Sequence, residues 1–215
     1  FSTYALMVAV GRAHIVLADS SGHLTGVDRH SGKAVWHQRV AVMRATHLVL
    51  DEPSVAVVGT VKQSHEQVGS RIQVCHTSTG EMEAAPIDVD RPVRWLALRG
   101  GEGLWYIADG TVTAFGLVDG VTRWALERPQ GAAPVGGWLH GDVLQMELPG
   151  RRLLSLNART KQDLGDPLQL AGVRDVVVVD SVVRCAITGT VDAVIKAAAK
   201  LEAVSYTHLT LPTKA

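Results

Sequence analysis

The 215 residues carry 21 lysines and arginines against 21 aspartates and glutamates, and 47% of them are hydrophobic. This is ordinary globular composition, and it lacks the basic excess of a nucleic-acid or anionic-membrane surface. No apolar run approaches the roughly 18 residues of a membrane span, and two cysteines, Cys75 and Cys185, do not make a disulfide framework.

In sequence order, the first unit opens with strands over 4–10 and 14–18, joined by Gly11-Arg12-Ala13. Asp19-Ser20-Ser21-Gly22 reads as a turn, because Asp, Ser and Gly favour or tolerate turn geometry. A third strand follows over 23–28. The next turn, 29–32, ends on Gly32, which accepts positive φ, and a fourth strand over 34–40 carries Trp36. The second unit has strands over 47–50 and 54–59 around Asp51-Glu52-Pro53, then a long polar, irregular piece over 60–70, a strand over 71–76 and a turn over 77–80. Ala84 stands where the first unit has Trp36.

The third unit places strands over 93–98 and 104–108 around a Gly-rich hairpin loop, then 111–115, a turn ending on Gly120, and Trp124. The fourth has strands over 135–139, 143–148 and 152–157, with Thr160-Lys161 in place of a Ser/Thr-Gly pair. The fifth has strands over 175–179, 182–187 and 190–195, after which the Ala- and Lys-rich 196–203 reads as helix by propensity, or as a break in the native sequence.

These units are copies. Gly32, Gly80, Gly120 and Lys161 follow one another at spacings of 48, 40 and 41 residues. Eight residues before each stand Leu24, Ile72, Val112 and Leu153; six before, the mostly smaller Gly26, Val74, Ala114 and Ser155; five before, the apolar Val27, Cys75, Phe115 and Leu156. Val191, Ala193 and Val194 continue these columns into the fifth copy. Residues two apart on a strand share a face, so the first two columns lie on one face and the third on the other. Repeats of about 40–50 residues with strand patterning predict four-stranded propeller blades, apolar on both faces because each is covered by a neighbour.

The stretch Gly26-Val-Asp28-Arg-His-Ser31-Gly32-Lys-Ala-Val-Trp36 resembles the repeat motif of quinoprotein-like (PQQ-repeat) β-propellers, Ala-x-Asp-x-x-Thr-Gly-x-x-x-Trp, with Gly26 in the Ala position. The resemblance implies an all-β propeller of four-stranded antiparallel blades. About five would be present over 4–40, 46–89, 93–128, 133–169 and 173–203, the last incomplete, forming an open fragment of a larger ring. It also implies structural roles for Asp28, Gly32, Trp36, Gly80, Gly120 and Trp124: the Asp serves the turn, and the tryptophans dock one blade on the next.

Three functions are compatible with that resemblance. The favoured one is a non-catalytic binding scaffold similar to the outer-membrane assembly lipoproteins of the BamB type, which would place it in the cell envelope or periplasm. It would have no cofactor and would capture protein partners through propeller-face loops. Lys62, His65, Glu66 and Gln67 of the long polar piece are the candidate contacts, because loops vary freely while blade strands are buried. The second is a fragment of a PQQ-dependent dehydrogenase. Such enzymes use adjacent cysteines, calcium ligands and a catalytic Asp, whereas Cys75 and Cys185 stand 110 positions apart. The third is the sensor propeller of a membrane kinase. Nothing in the residues calls for nucleic acid: Arg151-Arg152 is too small a patch. No short His pair with zinc spacing, no Gly-x-Ser-x-Gly elbow and no phosphate loop occurs.

The C-terminal stretch 204–213, Val-Ser-Tyr-Thr-His-Leu-Thr-Leu-Pro-Thr, resembles translated transposase-adapter DNA used in sequencing libraries. The expectation for 204–215 is a non-native tail without native packing.

Overall fold

The computed structural model describes residues 6–62, 68–127, 134, 136–150, 152–169, 173–179 and 182–187. It falls into two compact units, Phe1–Gly136 and Gly137–Ala215. The expected third strand of the fifth copy, the stretch 196–203 and the tail 204–215 lie outside the described residues.

The first unit holds three four-stranded antiparallel sheets, each a meander in sequence order. Sheet one is β1 (Leu6–Val10), β2 (His14–Asp19), β3 (His23–Asp28) and β4 (Ala34–Arg39). Sheet two is β5 (Met43–Asp51), β6 (Ser54–Lys62), β7 (Val68–His76) and β8 (Ile87–Val89). Sheet three is β9 (Val93–Arg99), β10 (Gly103–Ala108), β11 (Thr111–Gly116) and β12 (Thr122–Glu127). The second unit holds a sheet of β13 (Gly136–His140), β14 (Val143–Leu148), β15 (Arg152–Asn157) and β16 (Leu168–Gln169), and the hairpin β17 (Val173–Val179) with β18 (Val182–Ile187). Among the described residues every strand pair is antiparallel and no strand crosses over another, which is the construction of β-propeller blades.

The core of the first unit lies between its sheets. Along β6, Val55 and Val57 belong to one cluster with Val16, Ala18, Leu24 and Trp36 of blade one. The alternate residues Ala56 and Val58 belong to a second cluster with Val93, Leu96, Leu98 and Leu104 of blade three. On β7 the same division separates Cys75, on the blade-one side, from Ile72 and Val74, on the blade-three side. A run such as Val55-Ala-Val-Val58 is therefore apolar at every position because both faces of its strand are covered, and successive side chains point to opposite faces.

One expectation is corrected. The piece 60–70 is not irregular throughout: β6 runs to Lys62 and β7 starts at Val68, pairing Thr60 with Ser70, Val61 with Gly69 and Lys62 with Val68. β5 and β8 reach only as far as Thr60 and Ser70, so Val61–Lys62 and Val68–Gly69 continue as a two-stranded ribbon past the sheet. Its connection is 63–67, which lies outside the described residues and takes His65, Glu66 and Gln67 with it.

Candidate functional site

The repeat motif builds the same turn four times. In blade one the Gly32 N–H donates to the Asp28 carbonyl and the Asp28 N–H to the Lys33 carbonyl. The same pair recurs as Gly80 to His76 and His76 to Glu81, as Gly120 to Gly116 and Gly116 to Val121, and as Lys161 to Asn157 and Asn157 to Gln162. The turn requires positive φ at its closing residue: +68° at Gly32, +75° at Gly80, +68° at Gly120 and +58° at Lys161. Glycine meets this without strain, and Lys161 meets it against the preference of an L-residue. Asp28 serves the turn, its Oδ1 accepting the Ser31 N–H at 2.7 Å. Hydrogen bonds from Ser31 hold its carboxyl below the ordinary value. Asn157 does the same work in blade four, accepting from Arg159 and Thr160.

Trp36 connects this turn to the neighbouring blade. β4 slips register by one residue just where β3 passes from Gly26 to Val27, which sets Trp36 opposite Gly26. A Cβ at Gly26 would overlap the Trp36 indole, so the missing side chain lets the ring lie on β3. The indole N–H then donates to the Thr77 carbonyl of blade two at 2.7 Å, in a buried position. The far edge of the ring lies on Gly80, where a Cβ would come within 2.6 Å of it. β12 has the same slip, between Ala114 and Phe115, which sets the buried Trp124 opposite Ala114.

Blade two has no such side chain to offer blade three. Pro86 lacks an N–H, and the fourth strand shrinks to the three residues Ile87–Val89, with Ala84 left outside it. Gly120 accordingly has nothing within 4 Å of where a Cβ would stand. This interface is carried by the second apolar cluster and by polar bonds: Val93 N–H to Ser70 Oγ at 2.9 Å, Gly101 N–H to Ser54 Oγ at 3.0 Å, and Gly100 N–H to Asp51 Oδ2 at 2.8 Å. The Ser54 hydroxyl in turn donates to the Glu83 carboxylate.

The acidic turn Asp51-Glu52 therefore reaches both neighbours. Asp51 holds blade three, and Glu52 Oε1 accepts the Ala13 and His14 N–H groups of blade one at 2.8 and 2.9 Å. Burial raises the Glu52 pKa, but the bonds from Ala13 and His14 outweigh it and leave the carboxyl below its ordinary value. Sequence reasoning missed this role. Acidic residues beside Pro53 read as turn chemistry, and only the placement of three blades gives them partners. Two further groups depart from ordinary behaviour without marking a site. Burial, with the nearby Glu83 charge, pushes the Cys75 thiol up to about 11, and burial lowers His47 against the opposing Arg94 carbonyl.

Of the candidate contacts, Lys62 ends β6 and the other three lie outside the described residues. Among the described residues no group of three His, Cys, Asp or Glu side chains is placed to hold a metal ion. No helix among them is long and apolar enough to cross a membrane.

No family model matches the protein, and no curated protein does. Solved structures do. The computationally designed Ika4 protein superposes with a TM-score of 0.57 at 13% identity, over 73% of this chain and 93% of that one. The BamB structure from Moraxella catarrhalis gives 0.40 at 14% identity, over 84% of this chain and 70% of that one. At such identities the likeness to Ika4 concerns the fold alone.

Proposed function

We propose that this protein is a non-catalytic propeller scaffold that captures a protein partner through the loops of a propeller face. The observation that carries the reading is the ribbon of β6 and β7. Blade two uses both faces of its central strands to pack on its neighbours, yet extends these two strands beyond the sheet toward 63–67. β5 and β8 stop at Thr60 and Ser70, so Val61–Lys62 and Val68–Gly69 pair only with each other among the described strands, and connecting loops are where binding residues concentrate. Lys62, His65, Glu66 and Gln67 are the proposed contacts.

The test replaces 63–67 with a two-residue turn and compares capture of partners, identified first with the unaltered protein, by pull-down. Loss of capture with an unchanged far-UV spectrum is expected. Undiminished capture would remove the hairpin from the binding surface, and quinone-dependent dye reduction by the protein would overturn the scaffold reading.

A further inference from the structure

At the other end of β6 from the ribbon, where β5 turns back through Glu52 and Pro53, a cavity of about 430 Å³ opens between blades one and two. Its walls are Val10, Gly11, Arg12 and Arg29 of blade one and Leu50, Asp51 and Glu52 of blade two. The size is within the range of sites that hold a small ligand or a few residues of peptide.

The formal charges in the cavity cancel, two guanidiniums against two carboxylates, but their commitments differ. Glu52 Oε1 is taken by the N–H groups of Ala13 and His14, with the His14 ring 3.4 Å away, and Asp51 Oδ2 by the N–H of Gly100. The carboxylates thus hold loops of three blades together. The guanidiniums keep more of their donors free. Arg29 gives one N–H, from Nη1, to the Gly11 carbonyl at 2.8 Å, out of five that the group carries. Arg12 is exposed and makes no hydrogen bond or ion pair among the described residues. The cavity therefore combines uncommitted planar donors, which match a carboxylate in paired geometry, with the apolar side chains of Val10 and Leu50.

We infer that this cavity is a carboxylate-binding site, which seats an acidic group of a peptide between Arg12 and Arg29 with an apolar neighbour against Val10 and Leu50. It deepens the proposed function, resting on the reading of the protein as a peptide- or protein-binding module, but it lies at the opposite end of blade two from the ribbon. The carboxylate has two possible sources, the free α-carboxylate that ends a peptide or a Glu or Asp side chain within one.

The experiment measures fluorescence anisotropy of three labelled, N-blocked five-residue peptides with the whole protein at low ionic strength. One ends in Leu with a free carboxylate; one carries an internal Glu beside Leu and ends in an amide; one has Leu, an amide end and no carboxylate. Binding of the first or the second, at least tenfold tighter than the third, is expected and identifies the source. Arg12→Gln should weaken that binding tenfold or more without altering the melting curve, because Arg12 makes no bond within the described fold. Arg29→Gln should weaken it as well, and added salt should weaken it in the unaltered protein. Equal binding of all three peptides, no binding of any, or full affinity in Arg12→Gln would overturn the assignment. Intact hairpin-dependent capture alongside such a failure would leave the scaffold reading standing.

Discussion

Blade two is docked on both sides, and by different means. Toward blade one, a tryptophan crosses the interface, lies on two glycines and donates its N–H to the Thr77 carbonyl, beside the Glu52 bonds to Ala13 and His14. Toward blade three, the corresponding position is Ala84, outside the shortened fourth strand, and small polar side chains, Ser54, Ser70 and Asp51, take up backbone N–H groups of the neighbour. Both interfaces bury an aliphatic cluster of similar make-up. The repeat thus fixes the position of the contact surface but not the interaction that secures it. Where the indole is lost, three side-chain hydrogen bonds to backbone N–H groups, one at Ser70 and two at the Asp51–Ser54 turn, join the apolar cluster in securing the contact. A ring concentrates the stabilisation on one side chain and its two glycines, and the polar arrangement distributes it.

The largest break in this comparison is Trp36→Ala. Removing a buried indole leaves a void and an unpaired Thr77 carbonyl, and the cost should be about 3–5 kcal/mol by chemical denaturation. The loss should be local. Cys75 is buried in the cluster that Trp36 seals, with its thiol pushed up to about 11. In a Cys185→Ser background, Cys75 should therefore resist maleimide at pH 8 in the unaltered interface and react much faster in Trp36→Ala. A labelling rate that does not change would mean that the two blades stay docked without the ring.

The glycine sockets sharpen the contrast. Gly80→Ala meets two penalties, positive φ and overlap with the Trp36 ring, and should cost about 2–4 kcal/mol. Gly120→Ala meets the same backbone penalty in open space and should cost only about 1–2 kcal/mol. Equal losses for the two in parallel urea titrations would erase the difference between the interfaces.

Glu52 tests the polar staple between blades one and two. Glu52→Gln keeps the shape but gives up charge-assisted bonds to two N–H groups, at a cost of about 1–2 kcal/mol near neutral pH. The folded carboxyl titrates below its unfolded counterpart, so its contribution is complete above the unfolded value near ~4 and disappears as pH falls through the folded one. The stability gap between Glu52→Gln and the unaltered protein should therefore close on acidification. A gap that persists to pH 2 would place the cost elsewhere than in the charge.

The smallest expected effect is a gain. Lys161 closes the fourth turn at a φ that its three counterparts meet as glycine. Lys161→Gly should add up to about 1 kcal/mol of stability by releasing this strain, and a loss in a thermal melt would show that the lysine side chain is stabilising where it stands.

The alternation and the Gly-closed turns were readable in the sequence because each reflects a local demand: coverage on both strand faces, and positive φ at one residue. They give the sheets, their order and the partition of Ile72 and Val74 from Cys75. The ribbon was hidden for a related reason. Beyond Thr60 and Ser70 neither β5 nor β8 continues, so Val61–Lys62 and Val68–Gly69 pair through backbone bonds without a longer alternating pattern to announce them. The short β8 follows from Pro86, which pattern reading passed over. Asp51, Glu52, Arg12 and Arg29 looked like turn residues, and they are; their convergence depends on which blades stand beside one another, and no local pattern encodes it.

The most direct test of a ring-secured interface is the double-mutant cycle of Trp36→Ala with Gly80→Ala, followed by far-UV circular dichroism in urea. If the indole lies on Gly80, the methyl group should cost at least ~1 kcal/mol less when the ring is gone, a coupling of the size found for residues in contact. A Gly80→Ala penalty that is the same with and without Trp36 would contradict the account.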